Sequence, residues 1–148
     1  MVQIASKTSS VARLAFCDRS TESGAIDGAW WPHSLDLRSE LPDLVAVLSL
    51  SIGPVHRVVY DPTTWPDAPS RIIRGTAVTT VDPYSLVASD TIYLMGTHSR
   101  DAVLFIVPPS IPGHAVHRVL RAVSNESQSM SVAVLRHLVD HFAAEPSH

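Results

Sequence analysis

The sequence predicts an α+β fold in one domain: a mainly antiparallel sheet of about five to six short strands, one inserted helix, and two C-terminal helices packed on one face. The 148 residues suit a single domain. Hydrophobic residues make up 45% and charged residues 17%, which excludes a disordered composition. Short β-branched runs precede two amphipathic helical patterns. We expect the domain to span residues 10–143, with flexible ends at 1–9 and 144–148.

The first part of the chain predicts a strand, a helix and a second strand. Alternation of polar and apolar residues over Val11–Cys17 favours a half-buried strand. Five apolar residues then recur at helical spacing: Leu37, Leu41, Leu44, Val45 and Leu48. This spacing predicts a helix over residues 40–50, capped by Ser39, with Pro42 in its first turn. Val55–Tyr60 is rich in β-branched residues and predicts the next strand.

Four short segments in the middle of the chain predict further strands. Arg71–Arg74 and Thr76–Val81, hinged at Gly75, predict a hairpin or one bent strand that ends before Asp82-Pro83. Thr91–Met95 and Ala102–Val107 flank a polar loop and predict a second hairpin.

Two amphipathic patterns predict the terminal helices. Ser110 is the predicted N-cap of the first helix. Its apolar stripe consists of Ala115, Val116, Val119, Leu120 and Val123. The apolar side of the second helix consists of Leu135, Leu138, Val139 and Phe142. Because these helices follow the strands instead of alternating with them, we expect helices segregated on one face of the sheet.

Charge and composition exclude several classes of protein. The formal net charge is −3, so the chain lacks the basic excess of a nucleic-acid binder, and we expect no nucleic-acid partner. No apolar run approaches the roughly 18 residues needed to cross a bilayer, so we expect no membrane partner. Residues 1–20 lack the pattern of an export signal, and the single cysteine, Cys17, precludes an internal disulfide. These features predict a cytoplasmic protein.

All three tryptophans lie beside Pro or Gly, in Asp27–Pro32 (DGAWWP) and Thr64–Pro66 (TWP), which we predict to be loops. Loops carry many binding residues, so an indole there is either a lid on the core or a recognition surface. Adjacent residues of an extended segment point to opposite sides. We therefore expect one of Trp30 and Trp31 to be buried and the other to be exposed, with Trp65 packed nearby.

Polar residues near these loops suit a small pocket: Asp27, Arg57, Tyr60, Asp61 and Asp67. A carboxylate beside aromatic rings has the environment that raises a pKa for general acid catalysis. Aspartates next to proline also commonly accept hydrogen bonds from turn amides, so both interpretations stay open. We assign no catalytic residue. The predicted ligand- or partner-binding set is Asp27, Trp30, Trp31, Arg57, Tyr60, Asp61 and Trp65.

Eight histidines include two pairs at helical spacing, His114 with His117 and His137 with His141. Each pair can present two nitrogens to one cation, but both pairs fall on polar helix faces without an evident third ligand beyond Asp140. The sequence contains no HExxH, no GxSxG and no phosphate-binding glycine-rich loop. We therefore assign no metal and no cofactor.

Four stretches together resemble an actinobacterial family of small proteins classed as a domain of unknown function. These stretches are Asp27–Pro32, Glu40–Pro42, Val55–Trp65 and Val107–Pro109, and the likeness spans residues 10–142. The DGAWWP motif and the Arg-x-x-Tyr-x-Pro-x-x-Trp pattern of residues 57–65 are specific for the family. The chain departs from the family pattern at His33 and over Tyr84–Ser89. The resemblance implies an intracellular, one-domain protein of actinobacterial origin, and it implies no activity.

We therefore expect a small non-enzymatic binding or regulatory module that self-associates or binds a protein partner through the tryptophan loops. The alternative is a small-molecule-binding protein or small enzyme, with a pocket between those loops and the sheet. A third hypothesis is assembly that responds to pH. Charging all eight histidines changes the net charge from −3 to +5, so the surface potential reverses as the pH falls through about 6.5.

Overall fold

The computed structural model describes residues 13–16, 26–66, 68–85, 88–97, 100–125 and 130–145. These ranges contain seven strands and three helices. In chain order they are β1 (Leu14–Phe16), β2 (Gly28–Trp30), α1 (Leu37–Ile52), β3 (Arg57–Tyr60), β4 (Arg71–Arg74), β5 (Ala77–Pro83), β6 (Thr91–Met95), β7 (Asp101–Ile106), α2 (Gly113–Ser124) and α3 (Val132–Ala144).

The strands form one mixed sheet in the order β1-β2-β7-β6-β3-β5-β4. Two neighbouring pairs are parallel, β2 with β7 and β3 with β5, and the other described pairs are antiparallel. The α+β class is confirmed, but the described sheet has more strands than predicted. One reason is β2, which lies in the segment that we expected to be a loop. In addition, β5 continues through Asp82-Pro83, where we expected it to end, because its parallel pairing with β3 extends to Tyr60.

The start of β2 shows why a glycine belongs in this strand. Gly28 is buried opposite Phe16 of β1, and a Cβ atom at this position would overlap the carbonyl oxygen of Ala15. Only glycine permits this close backbone approach. The glycine that suggested a loop therefore allows β2 to insert between β1 and β7.

Helices lie on both faces of the sheet. On one face, Leu41 of α1 belongs to the same core as Leu104 of β7. On the other face, Val119 of α2 and Leu135 of α3 belong to a second core with Phe105 of β7. The predicted packing of the two C-terminal helices on one face is therefore confirmed, and the inserted helix lies on the opposite face. Because β7 lies between two helix layers, its consecutive apolar residues are all buried.

The start of α1 differs from the prediction. The helix begins at Leu37 and is capped by Asp36, whose side chain accepts a hydrogen bond from the Arg38 amide at 3.2 Å. Ser39, the predicted cap, instead donates its hydroxyl hydrogen to the Asp36 carboxylate at 2.7 Å. Pro42 consequently lies beyond the first turn, where it removes one backbone hydrogen bond of the helix.

The start of α2 also differs from the prediction. Its N-cap residue is Pro112, with no side-chain cap, and not Ser110. The reason is that a residue before proline disfavours the α conformation, so Ile111 cannot begin the helix. All five residues of the predicted α2 stripe are buried. In α3, Leu135 and Val139 are buried, and the other two predicted apolar residues are partly buried against the same core.

Strand direction defines two ends of the sheet. β6 is antiparallel to both β7 and β3, while β2 is parallel to β7 and β5 is parallel to β3. The strands β2, β3, β5 and β7 therefore run in the same direction. We call the edge at which these four strands end the carboxyl end, and the opposite edge the amino end.

Candidate functional site

All three tryptophans lie in the interior. Trp65 is fully buried, and only 5% of Trp30 and 9% of Trp31 is exposed. Trp30 belongs to the core beneath α1 and Trp31 to the core beneath α2 and α3. Adjacent rings do point to opposite sides, but the expectation that one of them is exposed is wrong. The physical reason is that helices cover both faces of the sheet around β2, so each direction leads into a core.

Trp30 and Trp65 meet at the carboxyl end of the sheet. Their ring centroids are 5.7 Å apart and the ring planes are inclined by 18°, which is a stacked arrangement. Trp65 is held by a turn that follows β3. In this turn the Asp61 carbonyl accepts hydrogen bonds from the amides of Thr64 and Trp65 at 3.0 and 3.1 Å. The two loops therefore join inside the protein, and their indole rings do not lie at the surface.

The Asp61 carboxylate also builds this turn. Its Oδ1 atom accepts hydrogen bonds from the Thr63 amide at 2.9 Å and from the Thr63 hydroxyl at 2.6 Å. This is the arrangement that aspartate commonly adopts beside proline. Of the two interpretations of Asp61 that the sequence left open, the structure supports the turn-forming one. Asp67, which the sequence suggested as a further pocket residue, lies outside the described residues.

Arg13 covers the second tryptophan of the motif. Its guanidinium carbon lies 4.2 Å from the centre of the Trp31 ring, and its Nη1 donates a hydrogen bond to the Trp31 carbonyl at 3.1 Å. Burial lowers the pKa of Arg13, and the nearby Glu40 carboxylate opposes this shift. Glu40 also accepts hydrogen bonds from the His33 amide and the Ser34 hydroxyl, each at 2.9 Å. These contacts attach the end of the DGAWWP motif to α1.

Asp27 and Arg57 make structural contacts at the amino end. The Asp27 carboxylate accepts a hydrogen bond from the Val103 amide at 2.8 Å, and the Asp27 amide donates to the Val103 carbonyl at the same distance. Arg57 pairs with Asp82 of the neighbouring strand, with 2.8 Å between Nε and Oδ2. Asp27 precedes β2 and Arg57 begins β3. Each contact therefore joins the start of one strand to a neighbouring strand.

The predicted binding set does not converge. Asp27 and Arg57 lie at the amino end, whereas the other five residues of the set lie at the carboxyl end, at opposite ends of strands that run in one direction. Tyr60, at the end of β3, is 7% exposed and belongs to the core beneath α1. The rings of Trp30 and Trp65, which we expected to border a pocket, stack on each other within the core beneath α1.

The histidine pair of α3 lies near the C-terminal end of the described chain. The rings of His137 and His141 stack with centroids 6.3 Å apart, and His141 Nε2 is 3.5 Å from a Glu145 carboxylate oxygen. Arg118 of α2 binds the same carboxylate at 2.9 Å. Within the described ranges, no group of three or more His, Cys, Asp or Glu side chains has the arrangement of a metal site. We assign no cation to this cluster.

A different surface emerges where the second helix layer ends. The core beneath α2 and α3 contains no described residue of β3, β4 or β5. Val59 of β3 is buried on the side away from α1, so we call the surface of β4 and β5 that faces away from α1 the open half-sheet. Ile72 and Val81 face α1, so Ile73 and Val78 point to the open side. They are cross-strand partners, and 62% of Ile73 and 49% of Val78 is exposed.

Two arginines lie next to this aliphatic pair on the open side, one residue pair further along the sheet. Arg71 lies on the open side and is the cross-strand partner of Thr80. Arg57 of β3 is the cross-strand partner of the same threonine from its other side. Arg71 and Arg74 are exposed, and neither forms an ion pair with any residue in the described ranges. The predicted binding set contains none of Arg71, Ile73 and Val78, which form this surface. The sequence signal was the consecutive pair Ile72 and Ile73, because a strand places adjacent side chains on opposite faces.

A family model described as a family of unknown function (DUF5994) matches residues 13–123. The chain belongs to this family. The part matched to DUF5994 begins at Arg13, just before β1, and ends at Val123, within α2, so it contains the whole described sheet and both tryptophan segments. Neither the curated proteins nor the solved structures yielded a match. No helix among the described residues is long and apolar enough to span a membrane.

Proposed function

We propose that this protein is a non-enzymatic module that binds another protein chain through the open half-sheet. The observation that carries the proposal is the exposed cross-strand pair of Ile73 and Val78, on a part of the sheet where the described helices form no second layer. Contiguous apolar side chains that stay exposed on a soluble protein commonly mark a site of contact.

The composition of this surface supports a protein partner. Aliphatic side chains occupy its outer part, and Arg71 and Arg57 lie beside them on the same side of the sheet. Protein interfaces commonly combine exposed apolar side chains with neighbouring charged ones, and arginine is among the residues that contribute most to binding energy. The contact surface proposed here therefore replaces the tryptophan loops, whose rings are buried.

Three contacts support a non-catalytic role for the residues that the sequence singled out. The Asp27 carboxylate binds a strand amide, the Asp61 carboxylate binds its own turn, and Arg57 binds Asp82. Each polar group thus contributes to the architecture of the sheet.

We further infer a cytoplasmic location and actinobacterial origin, because the sequence has a single cysteine and resembles such a family. Recovery of the protein from the growth medium and not from lysed cells would contradict that location.

A position-dependent photo-crosslinking experiment tests the contact surface. The photoreactive residue p-benzoylphenylalanine replaces Val78 in one variant and Leu50 in another, and each is irradiated in the cells that produce the protein. Leu50 is the matched control because it is also aliphatic and is 88% exposed, but it lies on α1, on the other side of the sheet. We expect a discrete protein adduct from position 78 and none from position 50.

Two results would contradict the proposal. One is the absence of any adduct at position 78, and the other is an equal pattern of adducts from both positions. In the second case the crosslinks report general collisions and not a defined surface. The mass of the adduct also shows whether the partner is another protein or a second copy of this chain.

A further inference from the structure

The outer edge of the end strand β4 pairs with no other strand in the described part of the chain. β4 is last in the strand order, and its described neighbour is β5. The two strands form a hairpin in which Arg74 is paired with Ala77 across the turn at Gly75-Thr76. Gly75 has a φ of 64°, the left-handed conformation that a two-residue hairpin turn commonly requires. This short turn fixes the register of β4 on β5.

One hydrogen bond shows which backbone groups of β4 point outward. The Val81 amide donates to the Ser70 carbonyl at 2.9 Å, so Ser70 forms a hydrogen-bonded pair with β5. Such pairs alternate along an antiparallel ladder. Ile72 and Arg74 therefore also bond to β5, whereas the amides and carbonyls of Arg71 and Ile73 point away from the sheet. These outward groups are available to another strand.

We propose that a second copy of this chain adds its own β4 to this edge, antiparallel, with Ile73 opposite Ile73 of the second copy. This inference rests on the proposed function and names its partner. The pairing joins two sheets into one. On the open side it makes a continuous row of four β-branched residues: Val78 and Ile73 of one copy, followed by Ile73 and Val78 of the other.

Side-chain parity limits the possible registers. In a symmetric antiparallel pair the two-fold axis passes midway between one residue and the same residue of the second copy, and directly opposite side chains lie on the same face. Centring the axis on Arg71 places two guanidinium groups opposite each other, which is unfavourable. Centring it on Ile72 places Ile73 opposite Arg71 and interrupts the aliphatic row. Only the register centred on Ile73 avoids the facing charges and keeps the row continuous.

The charge of Arg74 is expected to weaken the association of the two copies. With Ile73 at the centre, Arg74 faces Ile72 of the second copy, and the two Arg74 side chains lie diagonally across the pair on the α1 side. Charged residues on an edge strand commonly restrain uncontrolled pairing. Their mutual repulsion is screened by salt over a Debye length of about 10 Å at 0.1 M. The dimer therefore tightens as salt is added, unlike an interface held by ion pairs.

Sedimentation equilibrium of the purified full chain tests the choice of partner. We expect a monomer–dimer equilibrium for the unchanged protein. Ile73→Lys should weaken it by about tenfold or more, because a charge then lies at the centre of the pair. Leu50→Lys is the matched control and should leave the dissociation constant unchanged. Circular dichroism of both variants checks folding, which the exposure of both side chains should preserve.

Disulfide formation tests the register. In a variant with Cys17→Ser, the substitution Ile73→Cys places two thiols opposite each other at a Cα separation of about 5.5 Å, within the range of a disulfide. With the axis on Ile72 the same thiols lie diagonally, at about 7–8 Å, and do not bridge readily. Mild oxidation should therefore give a covalent dimer from Ile73→Cys and none from Leu50→Cys.

Each alternative outcome contradicts a defined part of the inference. A protein that stays monomeric throughout its soluble range overturns the second copy as partner. A heterologous adduct at position 78 in cells would then preserve the proposed function. A dimer that Ile73→Lys leaves intact overturns the β4 edge as interface. A dimer that this substitution dissociates, but in which Ile72→Cys oxidises and Ile73→Cys does not, overturns the register.

Discussion

The two halves of the sheet differ in how many helix layers cover them. Around β1, β2 and β7 helices lie on both faces, so even adjacent side chains such as Trp30 and Trp31 are both buried. Around β4 and β5 the described residues cover the α1 side and not the other, so buried Val81 alternates with exposed Thr80. Burial in this protein therefore depends on position in the sheet more than on residue type. The comparison also shows which apolar residues need an explanation: Ile73 and Val78, and not the tryptophans.

The largest expected effect is the truncation of a ring in the covered half. Trp30→Ala should lower the free energy of unfolding by about 3–5 kcal/mol, because it removes a buried ring that stacks on Trp65. Tyr84→Ala is the matched aromatic control after β5, where the ring is 67% exposed, and should change stability by less than about 0.5 kcal/mol. Urea unfolding followed by circular dichroism measures both. Similar losses for the two variants would contradict the comparison.

An intermediate effect is expected from valine-to-threonine substitution, made once in the covered half and once in the open half, both on the side of the sheet away from α1. Val103→Thr introduces a hydroxyl group into the core beneath α2 and α3 and should cost about 1–3 kcal/mol. Val78→Thr makes the same chemical change on the open side and should cost less than about 0.5 kcal/mol. Both are measured at low protein concentration, so that self-association does not contribute. If Val78→Thr proves as costly as Val103→Thr, the open half-sheet is covered in solution.

The smallest expected effect compares two arginines. Arg13 stacks on Trp31, and Arg13→Ala should cost about 0.5–2 kcal/mol through the lost cation–π contact and packing. Arg13→Lys should recover only part of this loss, since an ammonium group does not stack as a planar guanidinium does. Arg71→Ala, on the open side, should cost less than about 0.5 kcal/mol. Thermal unfolding resolves the difference, and a larger loss from Arg71→Ala would contradict it.

Much of the fold could be predicted from local pattern. The apolar stripe of α1 is buried at every predicted position, because a period of 3.6 residues follows from local helix geometry. The same is true of α2. The segments that became β3, β6 and β7 carried enough β-branched and aromatic residues to be recognised. These features depend on neighbours a few residues apart in the sequence.

The strand β2 and the candidate site could not be predicted in the same way. β2 is only three residues long, and its glycine and the following proline are typical of loops. It becomes a strand because it pairs with Leu104–Ile106, which are distant in the sequence. The sequence correctly placed Trp30 and Trp31 on opposite sides of an extended segment. It did not show that a separate helix layer lies on each side.

What the sequence by itself determined is the set of amphipathic segments and the class they build, because periodicity and turn residues act locally. What only the tertiary structure decided is which faces those segments cover. Among the described residues, the three helices leave one area of the seven-strand sheet without a helix on its second face. That area is opposite α1 because α2 and α3 both pack on the β1, β2 and β7 side of the sheet. Long-range packing therefore buried the tryptophans and left Ile73 and Val78 at the surface.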